Sequence, residues 1–262
     1  MNNTADIIEP GEPAMHKIDL NCDMGEGLEN DALLMPYISS ANIACGYHAG
    51  DETTMKHTIA LALLHGVAIG AHPGFADKAN FGRTERQLPL EKVQDLVMEQ
   101  IQILQKIAEN AGVKLHHVKP HGALYNMSAK DAALANTIAK AVYATDRHLI
   151  LFGLSGSHSI TEAKKAGLKT VSEVFADRTY QNNGSLTSRT EPNALIEKTE
   201  QAIQQVLQMI QQQTVTSVDD KQVPIIAETI CLHGDGKHAL SFAKAIHQTL
   251  QQHHISIQSI IN

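Results

Sequence analysis

Residues 115–126 read LHHVKPHGALYN. An apolar segment ends at Val118, and Lys119, Pro120, His121 and Gly122 follow it without a spacer. A lysine and a histidine set between a strand and a Pro-His-Gly turn are fixed in position, unlike those on a long surface loop. Whether other strands end in the same way decides how the chain is read.

Six other segments resemble KLHHVK (114–119) as short apolar strands: KIDLNC (17–22), ANIACG (41–46), GVAIGA (66–71), HLILFG (148–153), KTVSEV (169–174) and PIIAETICL (224–232). ISIQSII near the end is a candidate eighth. Helix-like stretches separate them. Over residues 90–111, Val93, Leu96, Val97, Ile101, Leu104, Ile107 and Ala108 recur at three-and-four spacing, one apolar stripe on a helix, with Gly112 placed to cap it. In QAIQQVLQMIQQQ (201–213), Ile203, Val206, Leu207 and Ile210 keep such a stripe beneath a glutamine-rich wet face. Strands alternating with helices predict βα units around a parallel sheet or barrel, in one α/β domain over residues 17–262. Residues 1–16 mix Pro, Gly and acids without a period and read as a loose tail.

Composition excludes several function classes. A net charge of -7 over 262 residues, with no dense Lys/Arg cluster, does not suit a phosphate backbone, so no nucleic-acid partner is expected. No apolar run approaches the roughly 20 residues that span a bilayer, and no basic stretch precedes an apolar core at the amino terminus. The expectation is a soluble, cytoplasmic protein. Cys22, Cys45 and Cys231 form no CxxC and read as reduced, small core residues.

The strand ends carry the chemistry. In chain order they lead into Asp23 and Glu26, His48 and Asp51, His72, Lys119 and His121, Asp177 and Arg178, and His233 and Asp235. Six of seven strands therefore end in acid, imidazole or base, and in parallel α/β folds the active site lies beyond these carboxyl ends. His57, His65, His238 and His247 fall inside helical stretches and read as surface or packing residues. Asp23, His48, His72 and His121, with His233 and Asp235, are ligand types for a divalent metal, although no HxH or HExxH pair is present. The same groups suit acid–base work without a metal. Lys119 and Arg178, if buried, call for an anion such as a carboxylate or phosphate. For Arg178 a salt bridge to Glu173 or Asp177 is the alternative. The chain has no GxxxxGK[ST], GxGxxG or GxSxG motif.

Together IDLNCDMGE, SANIACGYHAGD, VAIGAHPGF, GFADKANFGR, HVKPHGALYN, EVFADRTY and TICLHGD resemble the LamB/YcsF family of lactam-utilisation proteins, from about Lys17 to the last residues. The resemblance implies a seven-stranded parallel β/α barrel of the glycoside hydrolase/deacetylase type. It implies work as the A-subunit of an ATP-hydrolysing 5-oxoprolinase, which opens the lactam 5-oxoproline to L-glutamate with partner subunits B and C, using ATP with Mg2+ as co-substrate. On that reading Asp23, His48, Lys119, His121 and Asp235 are catalytic. Lys119 would stabilise a phosphoryl group or oxyanion, and His121 or His48, oriented by Asp23 or Asp235, would move protons. Arg178 would hold the substrate carboxylate, with Asn21, His72, Asn126 and His233 also against the substrate. The competing readings are a metal-dependent deacetylase or amidohydrolase, and a non-catalytic subunit that binds a ligand. One departure is internal: where the family usually has a longer loop after DMGEG, here LEND leads directly into ALLMPYISSANIACG.

Overall fold

Alternation within KIDLNCDM organises the molecule. In this computed structural model, which describes residues 16–28, 30–233 and 239–260, that segment is strand β1 (Lys17–Met24). Successive side chains of a strand point to opposite faces. Leu20, Cys22 and Met24 join the main apolar core, while Asp19, Asn21 and Asp23 make hydrogen bonds to other strands across an enclosed interior.

The parallel strands β2 (Ser40–Ala44), β3 (Ala68–His72), β4 (His117–Val118), β5 (Ile150–Leu154) and β6 (Thr170–Phe175) follow in order around a ring. After a small antiparallel hairpin of β7 (Thr214–Thr216) and β8 (Gln222–Pro224), strand β9 (Thr229–Leu232) closes it. Thr229 is in register with Glu173 of β6 and with Asp19 of β1, so seven parallel strands make a closed barrel. The eighth candidate is only β10 (Ser256–Ile257), paired with Lys17 and Ile18 outside the ring. The stretch expected as one strand over 224–232 is split: Pro224 ends the hairpin and the barrel strand starts at Thr229. β4 is shorter than expected, but its ladder extends through His116 N–H to Ile69 O and Lys119 N–H to Ala71 O, which fixes Lys119 at the barrel mouth.

Eight helices are described: α1 (Asp31–Leu34), α2 (Glu52–His65), α3 (Leu90–Asn110), α4 (Gly122–Lys130), α5 (Ala132–Thr145), α6 (His158–Lys165), α7 (Thr199–Gln212) and α8 (Ala239–Gln252). Asp51 starts α2 by accepting the Thr54 N–H at 2.8 Å. The α3 stripe is buried at Val93, Val97, Ile101, Leu104, Ile107 and Ala108, and burial of each larger side chain contributes about 1.5–3 kcal/mol. Gln100 is the polar exception on that stripe. Its side-chain amide bonds both Gly74 N–H (3.0 Å) and Gly74 O (2.8 Å), clasping the turn after β3. On α7, Val206 is buried and Ile203, Leu207 and Ile210 are partly buried, as the stripe in the glutamine-rich segment requires.

The tail expected over 1–16 lies outside the described residues except for His16, whose carbonyl accepts the Ser256 N–H. Among the described residues no helix is long and apolar enough to cross a membrane.

Candidate active site

Deep in the barrel, polar side chains close on one ammonium group. Lys119 Nζ lies 2.8 Å from Glu173 Oε1, 2.9 Å from Asp23 Oδ1 and 3.0 Å from Cys231 Sγ, with Asn21 Oδ1 at 3.3 Å. Three protons thus face three nearer acceptors. Burial alone would favour the neutral amine, but Asp23, Cys231 and Glu173 hold Lys119 well above the usual lysine value. Asp23 in turn is held well below the usual carboxylate range, because His72 and Lys119 outweigh its burial. Around this knot, Asn21 donates to Glu173 Oε1 and Thr229 Oγ1, Asn42 donates to Asn21 and Asp23, and the His117 ring meets Asn42 Oδ1 at 2.8 Å and stacks on Phe152. Gly70 makes room for that ring: a Cβ there would collide with His117 Nε2.

Above the β1–β4 side of the knot sits a buried histidine cluster. His72 Nδ1 is 2.7 Å from Lys119 O, His121 Nε2 is 2.8 Å from Phe81 O, and the facing nitrogens, His72 Nε2 and His121 Nδ1, are 2.8 Å apart. The His48 ring stacks on His121 with centroids 3.8 Å apart. Glu26 Oε1 lies 3.4 Å from His121 Nδ1 and 3.5 Å from His48 Nε2. Burial, reinforced by neighbouring imidazoles, pushes His48 down to about 3 and His121 well below the usual histidine value, so both rings are neutral.

On the β6–β9 side the mouth opens into a cavity of about 990 Å3. His233 Nδ1 lies 2.8 Å from Asp177 Oδ2 and 3.0 Å from Oδ1, so Nδ1 carries the proton and Nε2 is the acceptor of the neutral ring. Asp177 is half-buried, and that burial favours its acid form, yet His233, Arg189 and Arg178 outweigh it and lower its pKa. Arg178 spends Nε on Ala194 O and Nη2 on Thr187 O, tying down the segment that crosses the mouth between β6 and α7.

The described groups offer two places for a cation. Glu26, His48, His72 and His121 each bring one ligand atom within 4.8 Å of the others, and Asp23, Cys231 and His233 form a second such group.

Residues 18–262 match the LamB/YcsF family from near one end of the chain to the other. The chain belongs to the LamB/YcsF family. It is 52% identical over 251 residues to the 5-oxoprolinase A-subunit of Tolumonas auensis, covering 94% of this chain and all of that one. A crystal structure of a lactam utilization protein from Thermus thermophilus superposes with a TM-score of 0.88 at 39% identity, covering 93% of this chain and 100% of the other. The catalytic domain of a peptidoglycan N-acetylglucosamine deacetylase from Eubacterium rectale shares the barrel alone, with a TM-score of 0.54 at 13% identity, covering 99% of this chain and 93% of that one. The barrel is therefore of the deacetylase type.

Within this LamB/YcsF barrel the expected residues separate into three groups. Asn21, Asp23 and Lys119 form the floor; His48, His72 and His121 form the cluster; Asn126, Arg178 and His233 line the cavity. Asp235 and His238 lie outside the described residues. Three expectations change. Lys119 meets neighbouring carboxylates and a thiol, which leaves none of its three protons free for an incoming oxyanion. The Arg178 alternative, a salt bridge to Glu173 or Asp177, is not formed: Glu173 pairs with Lys119 and Asp177 with His233. His121 bonds Phe81 O through Nε2 and turns Nδ1 onto His72 Nε2, and His48 is only 1% exposed, so neither is placed to take a proton from water in the cavity. In the four-residue cation group, Glu26 takes the place expected for Asp23, although Asp23 Oδ2 lies 3.3 Å from His72 Nε2. His57 and His65 are exposed on α2, and His247 packs on Tyr37, in keeping with their helical placement. Reading strand ends misses Asn42, His117, Glu173 and Thr229, which sit inside strands. Asp19, Asn21 and Asp23 at alternate positions are the available signal that the barrel interior is polar.

Proposed function

We propose that this chain is the A-subunit of an ATP-dependent 5-oxoprolinase, a cytoplasmic hydrolase that opens 5-oxoproline to L-glutamate together with subunits B and C. The observation that carries this reading is the His233–Asp177 dyad. It faces a cavity lined by Arg83, Arg178 and Arg189 together with acidic residues such as Glu85 and a Lys165–Glu162 ion pair, in a chain 52% identical to a 5-oxoprolinase A-subunit.

The chemistry asks for such a wall. A five-membered lactam is a resonance-stabilised amide and a poor electrophile. Transfer of the ATP γ-phosphoryl group to its carbonyl oxygen makes the carbonyl carbon attackable, and Mg2+ enters with the nucleotide. Water then adds to that carbon, the C–N bond breaks, and one further water releases phosphate. His233 Nε2 takes the proton from the attacking water and returns one to the departing nitrogen, with Asp177 holding the ring in the required tautomer. Arg178 offers the substrate carboxylate its Nη1 side, since Nε and one N–H of Nη2 are committed to backbone carbonyls. Lys119 acts from beneath, keeping Asp23 ionised at the edge of the cavity. The arginines of the wall suit polyphosphate and carboxylate groups.

The test is release of glutamate and phosphate from 5-oxoproline and ATP, with and without subunits B and C. Release that requires ATP and all three chains is expected. Ring opening without ATP, or saturable 5-oxoproline binding without turnover in the full mixture, would overturn the proposal.

A further inference from the structure

We infer that Glu26, His48, His72 and His121 form a site for one divalent first-row transition ion. The inference is independent of the proposed reaction. It rests on where the lone pairs of the cluster point.

A carbonyl oxygen only accepts, so His72 Nδ1 carries the proton bonded to Lys119 O, and His121 Nε2 carries the proton bonded to Phe81 O. In neutral rings the other two nitrogens then hold lone pairs, and these face each other at 2.8 Å. Two lone pairs do not stay in contact without a cation between them. One shared proton would satisfy that pair and nothing more. His48 remains: it is 1% exposed, its ring lies against His121, and both its nitrogens lack a hydrogen-bond partner. Leaving such groups buried and unmet costs about 1–3 kcal/mol each. A metal ion meets the lone pairs of all three rings at once, with the Glu26 carboxylate as the anionic ligand.

The surroundings have the form of an outer ligand shell. Metal-bound imidazoles usually donate their second N–H to a carbonyl or carboxylate, as His72 and His121 do here. Phe81, which supplies one of those carbonyls, has φ 55° without being glycine, a conformation that the turn imposes on it. Two glycines admit the stacked rings. A Cβ on Gly74 would lie 2.9 Å from His48 Nδ1, and one on Gly82 would lie 2.7 Å from His48 Cβ and 3.0 Å from His121 Cδ2. The turns GAHPG and NFGR are thus shaped around the imidazoles. Three nitrogens and one carboxylate oxygen suit zinc, iron, cobalt or nickel, rather than magnesium, which prefers oxygen ligands and water.

The test uses the full-length chain, stripped with a chelator, then titrated with Co2+ and Zn2+ in equilibrium dialysis. About one equivalent per chain should remain, read by elemental analysis, and Co2+ should give visible d–d bands. Glu26→Gln and His121→Asn should weaken binding beyond the roughly 10–100-fold that loss of an outer partner costs. His233→Asn, which alters the second cation group, should leave stoichiometry unchanged. Failure of the parent chain to retain Co2+ or Zn2+ above a non-specific background, a measurement that needs no variant, would show that the pair shares a proton and would overturn the site. So would binding that survives Glu26→Gln and His121→Asn but is lost in His233→Asn.

Discussion

The floor and the rim of this barrel use the same residue types to opposite ends. At the floor, Lys119 is matched proton for acceptor by Asp23, Glu173 and Cys231, and Asn21, Asn42 and His117 bond one another around it, although Glu173 Oε2 is left without a hydrogen-bond partner. At the rim, among the described residues, hydrogen-bonding capacity is left over: His48 has two unmet nitrogens, His72 and His121 turn lone pairs toward each other, and His233, bonded to Asp177 through Nδ1, lines a 990 Å3 cavity. A nearly closed inventory stabilises one arrangement of strands. An open one binds something that is not part of the chain. The contrast assigns stability to the first layer and chemistry to the second, and each assignment can be broken separately.

The largest expected effect is on the floor. Lys119→Met removes the ammonium that Asp23 and Glu173 share, and with it the positive charge between two buried carboxylates. Breaking a buried pair in this way costs about 3–5 kcal/mol. Urea unfolding of the variant should show that loss. A change below about 1 kcal/mol would mean that the carboxylates are relieved in some other way and that the floor is not one unit.

The sequence displays these two layers unequally. Strand ends are conspicuous, because polar residues there interrupt an apolar run and meet Gly or Pro; Asp23, His72 and His121 stand out that way. Glu173 and His117 are harder to see, because inside a strand a single polar residue looks like noise until its partners on other strands are known. Gly70 carries no meaning at all before the His117 ring is placed against it. The helices are legible for the opposite reason: the stripe on α3 is a local property of periodicity, and its end is predictable to within a residue. Gln100 lies on that same stripe, yet its role in clasping Gly74 depends on a loop distant in sequence.

At the rim the expected loss is catalytic rather than thermodynamic. His233→Ala should lower the rate of ATP-dependent glutamate release by about 100-fold or more, the usual contribution of a positioned acid–base group. Because the His233–Asp177 pair is partly exposed, its removal should cost no more than about 1 kcal/mol of stability. A variant with nearly parental turnover would place proton transfer elsewhere. A variant that unfolded as readily as Lys119→Met would erase the distinction between the layers.

The smallest effect separates two carboxylates by their response to acid. At the floor Asp19 is fully buried; burial raises its pKa, only partly offset by hydrogen bonds from Thr229, Ser39 and Ser40. At the rim Asp177 is lowered, because His233, Arg189 and Arg178 outweigh burial. The linkage signs are opposite. Just above the ordinary carboxylate value the folded chain binds a proton at Asp19 more readily than the unfolded chain does, so acid favours the fold there. The Asp177 contribution is complete above its ordinary value of 3.8 and is lost as pH falls below that value toward its lower folded-state pKa. Asp177→Asn, in which that carboxylate no longer titrates, should therefore be less stable than the parent near neutrality, by about 1 kcal/mol or less for a partly exposed pair. The gap should narrow as pH falls below 3.8, since the unfolded chain then binds the proton that the folded parent resists. Urea midpoints for both chains at several pH values give the comparison. A gap that stayed constant with pH would show that the shape of the Asp177 side chain, rather than its charge, is what the rim uses.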